Sequence, residues 1–176
     1  MKHTSRKTFG TLFQEHYKTG IGVEVGSEQG YNAVEIAKQY KGELHCVDIW
    51  RDGKGFIVDF LHNTKGLNVH HHVIDSVAGA QRFADESLDF VYIDDDHSYE
   101  GVKRSFNAWL PKVRIGGIVS GHDYGINDCI GVKQFIDEFT AANTHIQMNF
   151  TTDDFYVGNR PDLQGLEYQS WWFVKP

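Results

Sequence analysis

The sequence predicts an α/β fold: a mostly parallel sheet with helices on both faces and an antiparallel hairpin near its C-terminal end. From Ile21 to Thr140, short apolar segments alternate with segments whose apolar residues have helical spacing, which is typical of β–α units. Later apolar segments follow one another with no helix between them, which predicts an antiparallel pair. With 176 residues, 40% of them hydrophobic, we expect one domain over residues 1–176.

Composition narrows the class of protein. The net charge of -7 argues against binding to a nucleic-acid backbone, which needs clustered Lys and Arg. Cys46 and Cys129 are the only cysteines, so we expect no disulfide framework and a reducing compartment. No signal-peptide pattern follows Met1 and no apolar run is long enough to span a bilayer, so we expect a cytoplasmic protein without membrane contact.

The N-terminal arm, residues 1–19, is polar with a few interspersed apolar residues. Phe9, Leu12, Phe13 and Tyr17 have the spacing of one short amphipathic helix. We expect this helix to pack on a flank of the sheet; a substrate lid is the alternative.

The first β–α unit carries a glycine-rich turn. Ile21–Val25 is predicted as a strand, Gly26–Gly30 as a tight turn and Tyr31–Tyr40 as a helix. Glycines allow close approach of the backbone to a ligand, and a helix N-terminus offers free N–H groups. Glu28 replaces the middle glycine of the dinucleotide fingerprint, which disfavours NAD.

The second strand, Glu43–Val47, ends in an acid. Asp48 at its tip is placed to accept hydrogen bonds from the hydroxyls of a ribose, although it could instead cap the next segment. Trp50 could pack on a purine face beside that ribose or belong to the core.

The third unit is predicted as a helix over Gly55–Lys65 and a strand over Asn68–Ile74. The strand contains His70–His72, three consecutive histidines that alternate sides and therefore cannot all bind one metal ion. We expect them to be solvated or partly packed. Asp75 and Ser76, at the strand tip, could meet the base of a bound nucleotide or cap the following helix.

The fourth and fifth strands end in the densest cluster of acids. Leu88–Ile93 runs into Asp94–His97, a helix is predicted over Tyr99–Leu110, and Ile115–Val119 is followed by His122–Asp123. The C-terminal ends of neighbouring parallel strands lie side by side, where ligands bind in open α/β sheets. These carboxylates and imidazoles should therefore converge, and their repulsion requires a cation or shared protons.

The last third is predicted as a helix, Asp128–Thr140, followed by three strands, His145–Phe150, Phe155–Val157 and Trp171–Val174. Its late aromatic residues could close the core or form an interface in a homo-oligomer.

From about Gly20 to its end, the chain resembles class I S-adenosylmethionine-dependent methyltransferases. The motifs that carry the resemblance are Val23–Gly30, Cys46–Trp50, Tyr92–Val102, Pro111–Gly117 and Gly121–Tyr124. They are similar to those of small methyltransferases related to cephalosporin hydroxylase-like and macrolide or aminocoumarin sugar O-methyltransferases. The resemblance implies a Rossmann-like methyltransferase sandwich with a seven-stranded, mostly parallel sheet. It also implies an enzyme that methylates a hydroxyl of a small molecule or sugar, with possible assistance from Mg²⁺.

The resemblance also implies a set of site residues. The implied cofactor-binding residues are Glu24, Gly26, Ser27, Gly30, Asp48, Ile49, Trp50, Asp75, Ser76 and Asp94. The implied metal ligands are Asp94, His122 and Asp123. The implied catalytic residues, among which the proton acceptor is left open, are Asp96, His97 and His122.

His122 departs from the family pattern, which has a second acid at that position. Mg²⁺ prefers oxygen ligands, whereas imidazole suits Zn²⁺, Fe²⁺ or Mn²⁺ better. His122 could thus bind a softer metal, act as the base, or indicate that no metal binds. Two other functions stay open: a metal-dependent hydrolase that uses the Asp and His cluster, and a catalytically silent domain that binds S-adenosylmethionine. Hydrolysis leaves Glu24, the glycine turn and Asp48 without a role.

Overall fold

The computed structural model describes residues 5–51, 55–125, 129–152 and 168–176. Within them a 3₁₀ turn, Arg6–Thr8, precedes the first helix. The α-helices are α1 (Phe9–His16), α2 (Tyr31–Gln39), α3 (Phe56–Asn63), α4 (Ser76–Ala80), α5 (Tyr99–Trp109) and α6 (Ile130–Ala142). The strands are β1 (Ile21–Val25), β2 (Glu43–Asp48), β3 (Val69–Val73), β4 (Leu88–Ile93), β5 (Val113–Gly125), β6 (Asn149–Phe150) and β7 (Tyr168–Val174).

The strands form one sheet of seven in the order β3-β2-β1-β4-β5-β7-β6. Strands β1 to β5 pair in parallel, and β7 is antiparallel to both β5 and β6. This arrangement confirms the α/β class, the mostly parallel sheet and the antiparallel C-terminal hairpin. Among the described helices, none is long and apolar enough to cross a membrane.

One face of the sheet is covered by α1, α2 and α3. Phe9 and Phe13 of α1 are fully buried there with Ile36 of α2 and Phe60 of α3. Burying a side chain of this size contributes about 1.5–3 kcal/mol, so the N-terminal arm is anchored by its own apolar stripe. The prediction that α1 packs on the sheet is confirmed.

The opposite face is covered by α4, α5 and α6. Phe106 and Trp109 of α5 pack in the same cluster as Phe135 of α6. Trp171 and Phe173 of β7 are fully buried in that cluster, so these late aromatics close the core.

Strand β5 is longer than the sequence predicted. It begins at Val113, ahead of the two glycines, because its first residue pairs with Leu88 of β4. It also continues past His122 and Asp123, because β7 pairs with it as far as Gly125 after a register shift. The two site residues therefore lie within a paired strand instead of in a loop.

Helix α4 ends at Ala80, before a turn in which the Arg82 N–H bonds the Gly79 carbonyl. Strand β6 is shorter than predicted, because it comprises only Asn149 and Phe150. Beyond it, the Thr151 N–H still bonds the Ser170 carbonyl of β7. The predicted strand Phe155–Val157 lies outside the described residues.

Gly131 sets the distance between α6 and the start of α5. A Cβ at this position would meet the backbone nitrogen of Tyr99 and lie 2.6 Å from the His97 carbonyl oxygen. Gly131→Ala is expected to lower the free energy of unfolding by about 1–3 kcal/mol, although alanine is the better helix former. Urea denaturation measures this, with Gln134→Ala on the exposed side of α6 as control. Equal stability of the two variants would contradict the close contact.

Candidate functional site

The C-terminal ends of β1, β4 and β5 form one crevice. Val25 pairs with Ile93, which in turn pairs with Gly121, so the residues that follow these positions are brought together. We call the group Glu24, Asp94, His122 and Asp123 the acidic crevice. Both β5 residues of the group are buried, as is Glu24.

Arg6 supplies the positive charge of the crevice. Its Nη2 lies 3.3 Å from Oδ2 of Asp94, and its Nη1 lies 3.4 Å from both ring nitrogens of His122. Its Nε donates to the side-chain oxygen of Asn32 at 3.4 Å. Arg6 is one of several basic residues in a polar arm, so no sequence pattern indicated this role.

Glu24 is the deepest acid of the site. Oε1 accepts a hydrogen bond from Asn32 at 2.8 Å, and the Cys46 thiol lies 3.6 Å from Oε2. Burial raises the pKa of Glu24, and the interactions with the Ser27 hydroxyl and the Asn32 amide offset only part of that effect. Asn32 was missed in the sequence, since an asparagine in the first turn of a helix is ordinary.

Asp123 binds two imidazoles. Oδ2 lies 2.8 Å from Nε2 of His97, and Oδ1 lies 2.9 Å from Nδ1 of His122. Burial would raise the pKa of Asp123, but these hydrogen bonds outweigh it and hold that pKa far below its usual value. Hydrogen bonds to Asp123, and secondly to Asp94, raise the pKa of His97 far above its usual value. His97 is therefore an imidazolium at neutral pH.

The structure separates the two acids that follow Asp94. Asp96 is exposed, and hydrogen bonds from the side chain and then the backbone N–H of Ser98 lower its pKa and weaken it as a base. Asp95, which the sequence assigned no role, accepts a hydrogen bond from the Ser105 hydroxyl, and burial raises its pKa. Neither acid has a recorded contact with Asp123.

The glycine turn lies against the end of β4. Gly26 has a φ of +82°, and a Cβ there would meet the carbonyl oxygen of Asp94. Gly30, at φ +79°, is the N-cap of α2. Between them, the buried hydroxyl of Ser27 interacts with the Glu24 carboxylate and lowers the pKa of that acid, although it has no partner with full hydrogen-bond geometry among the described residues. A polar ligand would satisfy this donor more fully than Glu24 does.

Asp48 connects the tip of β2 to the glycine turn. Its Oδ2 accepts from the Glu28 backbone N–H at 2.9 Å, and its Oδ1 accepts from that of Trp50 at 2.8 Å. The Trp50 indole donates to the Glu28 carbonyl at 2.7 Å and packs on Phe60. Ile49 is exposed beside them. The Asp48 carboxylate is thus rigidly placed, with lone pairs left for a ligand.

Asp75 and Ser76 lie at the tip of β3. The Asp75 carboxylate accepts from two backbone N–H groups in the first turn of α4, so it caps that helix as the alternative prediction allowed. The Ser76 hydroxyl bonds that of Ser105 and accepts from the indole of Trp109. Contact of either residue with a cofactor stays a prediction.

Two groups of side chains in the described residues near the crevice could share an ion. Asp94, His122 and Asp123 each offer a donor atom within 4.8 Å of the others, which are the three predicted ligands. His97, Asp123 and Cys129 form the second group under the same limit. Carboxylate with imidazole or thiolate suits a borderline divalent ion such as Mn²⁺ or Zn²⁺. Metal binding itself stays a prediction.

Asp123 is expected to be the electrostatic centre of the site. Its φ of +59° is unfavourable for most residues but tolerated by Asn, so Asp123→Asn removes the charge with little backbone cost. We expect the variant to lose about 1.5–3 kcal/mol of stability at pH 7, since two hydrogen bonds to a charged acceptor are weakened. Denaturant unfolding measures the loss. Asp96→Asn, the exposed control, should change stability by less than about 0.5 kcal/mol; equal losses would refute the assignment.

Comparison with known proteins agrees with this geometry. A family model described as "Methyltransferase domain" matches residues 23–124, more than half of the 176 residues and all strands from β1 into β5. A search of curated proteins gave no match.

Solved structures share the fold at low identity. The O-methyltransferase TomG from Streptomyces achromogenes, in complex with SAM and involved in tomaymycin synthesis, is 17% identical, with a TM-score of 0.72 over 97% of this chain and 79% of that one. An O-methyltransferase from Bacillus cereus in complex with SAH is 20% identical, with a TM-score of 0.70 over 99% and 82%. An rRNA methylase from Streptococcus thermophilus is 10% identical, with a TM-score of 0.66 over 96% and 94%. The family match establishes that this chain belongs to the methyltransferase domain family, as its resemblance to class I S-adenosylmethionine-dependent methyltransferases predicted.

Proposed function

We propose that the chain transfers a methyl group from S-adenosylmethionine to a hydroxyl of a small molecule or sugar. The observation that carries this proposal is the shared crevice. The Asp48 carboxylate, fixed at the tip of β2, lies on one side of the glycine turn, and the acidic crevice lies on the other. Solved structures of O-methyltransferases of this fold in complex with SAM and with SAH support it.

The residues present fit the cofactor. Asp48 retains acceptor capacity for ribose hydroxyls, and the buried Ser27 hydroxyl, which lies near Glu24 without full hydrogen-bond geometry, is a donor for a polar group of the cofactor. Glu24 and Asp94 provide negative charge toward the ammonium and sulfonium of the cofactor, where Arg6 now supplies the balancing charge. Trp50 and Ile49 border Asp48 and provide apolar surface for the adenine.

Methyl transfer is an in-line displacement in which the cofactor supplies the electrophile. The protein must orient the acceptor oxygen and remove its proton. His97 is placed within the crevice but already carries its proton because Asp123 stabilises the imidazolium. We therefore assign His97 to orienting the acceptor oxygen and stabilising its negative charge. His97 becomes a base only when another cation pairs with the Asp123 carboxylate in its place. Asp96 contacts Ser98 and Arg104 instead, and is the weaker candidate.

A divalent ion fits the same crevice. Asp94, His122 and Asp123 would hold it, and their mixed oxygen and nitrogen donors favour Mn²⁺, Fe²⁺ or Zn²⁺ over Mg²⁺. When bound there, the ion would lower the pKa of an acceptor hydroxyl. A small, uncharged or sugar-like acceptor suits this chain better than RNA, because the net charge of -7 opposes contact with phosphates.

Asp48→Ala is expected to abolish cofactor binding. Losing two hydrogen bonds from ribose to a charged acceptor weakens affinity by about 100-fold or more. Calorimetric titration with S-adenosylhomocysteine measures this, and Asp85→Ala, an equal charge change at an exposed site, should bind as wild type does. Affinity of Asp48→Ala within a few-fold of wild type would refute the assignment of Asp48.

Asp94→Ala is expected to abolish metal-dependent turnover without abolishing cofactor binding. Turnover is measured as release of S-adenosylhomocysteine with a panel of phenols and sugars as acceptors. In the wild type, this rate should fall at least about tenfold in chelator and recover with Mn²⁺, because the ion acidifies the acceptor hydroxyl. The variant should still bind S-adenosylhomocysteine through Asp48 and Glu24, more weakly because one carboxylate near the ammonium is lost, but its turnover should not recover with Mn²⁺. Turnover that is unchanged in chelator would count against the metal and leave the methyl transfer intact.

A further inference from the structure

A second cluster of metal-binding side chains lies far from the crevice, on strands β2 and β3. We call Glu43, His45, His70 and His72 the β2–β3 histidine cluster. His45 pairs directly with His70, and alternate residues of a strand share a face. From the sequence, the three consecutive histidines were expected to be solvated or partly packed. The structure places His70 and His72 beside His45, a contact that depends on the register of the two strands.

The distances within this cluster fit one ion. Oε2 of Glu43 lies 3.5 Å from Nε2 of His45 and 3.9 Å from Nε2 of His70. All three donor atoms lie within 4.8 Å of one another. A tetrahedral Zn²⁺ with bonds of about 2.0–2.2 Å separates its donors by about 3.4 Å. Side-chain adjustments well below 1.5 Å would therefore complete the coordination.

One donor atom of the cluster, Nε2 of His45, is buried. Among the described residues it has no partner with hydrogen-bond geometry, although Glu43 is near. Imidazole binds metals through such a ring nitrogen when that nitrogen carries no proton.

We propose that Glu43, His45 and His70 bind a divalent transition-metal ion of the Zn²⁺ class, with solvent at the open position. Two imidazoles and one carboxylate form a borderline donor set that disfavours Mg²⁺ and Ca²⁺. Glu43 and His70 are about half exposed, which leaves an entry path from solvent. The site does not depend on the proposed methyl transfer.

His72 orients the buried ligand. Its Nε2 lies 2.9 Å from Nδ1 of His45, so one of the two rings donates a proton to the other. When Nδ1 of His45 is the donor, its Nε2 keeps a lone pair for the ion. Arg82 opposes this tautomer, because its Nη1 lies 3.3 Å from Nδ1 of His72 and donates there, which places the His72 proton on Nε2. Binding of the ion therefore requires that Arg82 release His72.

The ion would fasten the edge of the sheet. β3 is the terminal strand of the sheet, and its outer side has no strand partner among the described residues. Its residues are at least partly exposed. A metal ion shared by the β2 residues and His70 would hold β3 in register, whereas an edge strand without such a link is freer to slip.

The test is Zn²⁺ binding by tag-free protein that has been stripped with chelator. Both ion-binding groups near the crevice contain Asp123, so Asp123→Asn removes them and leaves this cluster. Calorimetry should give one Zn²⁺ per chain for Asp123→Asn and none for the double variant Asp123→Asn with His70→Ala. The control double variant, Asp123→Asn with His71→Ala, should still bind one Zn²⁺, because the His71 ring contacts Trp50 and Phe60 on the other face of the sheet. In the wild-type background, His70→Ala should remove one equivalent and His71→Ala none.

A thermal measurement covers the case in which the Asp123 variant is poorly folded. With Zn²⁺ at about 100 times its Kd, wild type should melt about 5–10 °C higher, and His70→Ala should lose the part of the shift that His71→Ala retains. Arg82→Ala should bind Zn²⁺ more tightly, since it frees the required tautomer. Equal stoichiometry and equal thermal shift in the two histidine variants, or binding only at millimolar Zn²⁺, would overturn the proposal.

Discussion

Charge compensation is the constraint on which the site depends. Three carboxylates converge where β1, β4 and β5 end, and at least one is fully buried, so the group needs positive partners. The chain supplies two from different directions: the Arg6 guanidinium enters from the N-terminal arm, and the His97 imidazolium comes from the turn after β4. The burial of Phe9 and Phe13, which fixes α1, is thus also what keeps Arg6 at the crevice.

Close backbone approach makes that convergence possible. Gly26 leaves room for the carbonyl of Asp94, and Gly121 lies where a Cβ would come 2.5 Å from the Ile93 carbonyl oxygen. The ends of three strands therefore meet more tightly than larger residues would allow. Beyond Gly121, the left-handed backbone at Asp123 and the register shift against β7 accompany the change in direction that presents Asp123 to His97.

How far each part of the fold and the site could be predicted depends on whether its interactions are local in the sequence. Periodicity is a local property, so it located the parallel strands and most helices, and strand tips were then expected to meet because parallel pairing allows little else. Arg6 could not be found this way, since its position depends on the path of an arm packed by tertiary contacts. The partnership of His45 with His70 depends on the register of two strands separated by α3, which alternation within either strand does not reveal.

The proposed cofactor would compete with Arg6 for the same charge. Under the proposed function, the cationic end of S-adenosylmethionine approaches Glu24 and Asp94, and Arg6 now lies 3.3 Å from the latter. The side chains of Arg6 and Asp94 are only 32% and 16% exposed, so loss of Arg6 without a replacement would leave a largely buried carboxylate uncompensated. Replacement of Arg6 by the cationic end of the cofactor would instead conserve the net charge of the crevice. Under the same proposal, His97 keeps its proton until a further cation reaches Asp123, which would link acceptor activation to the filling of the site.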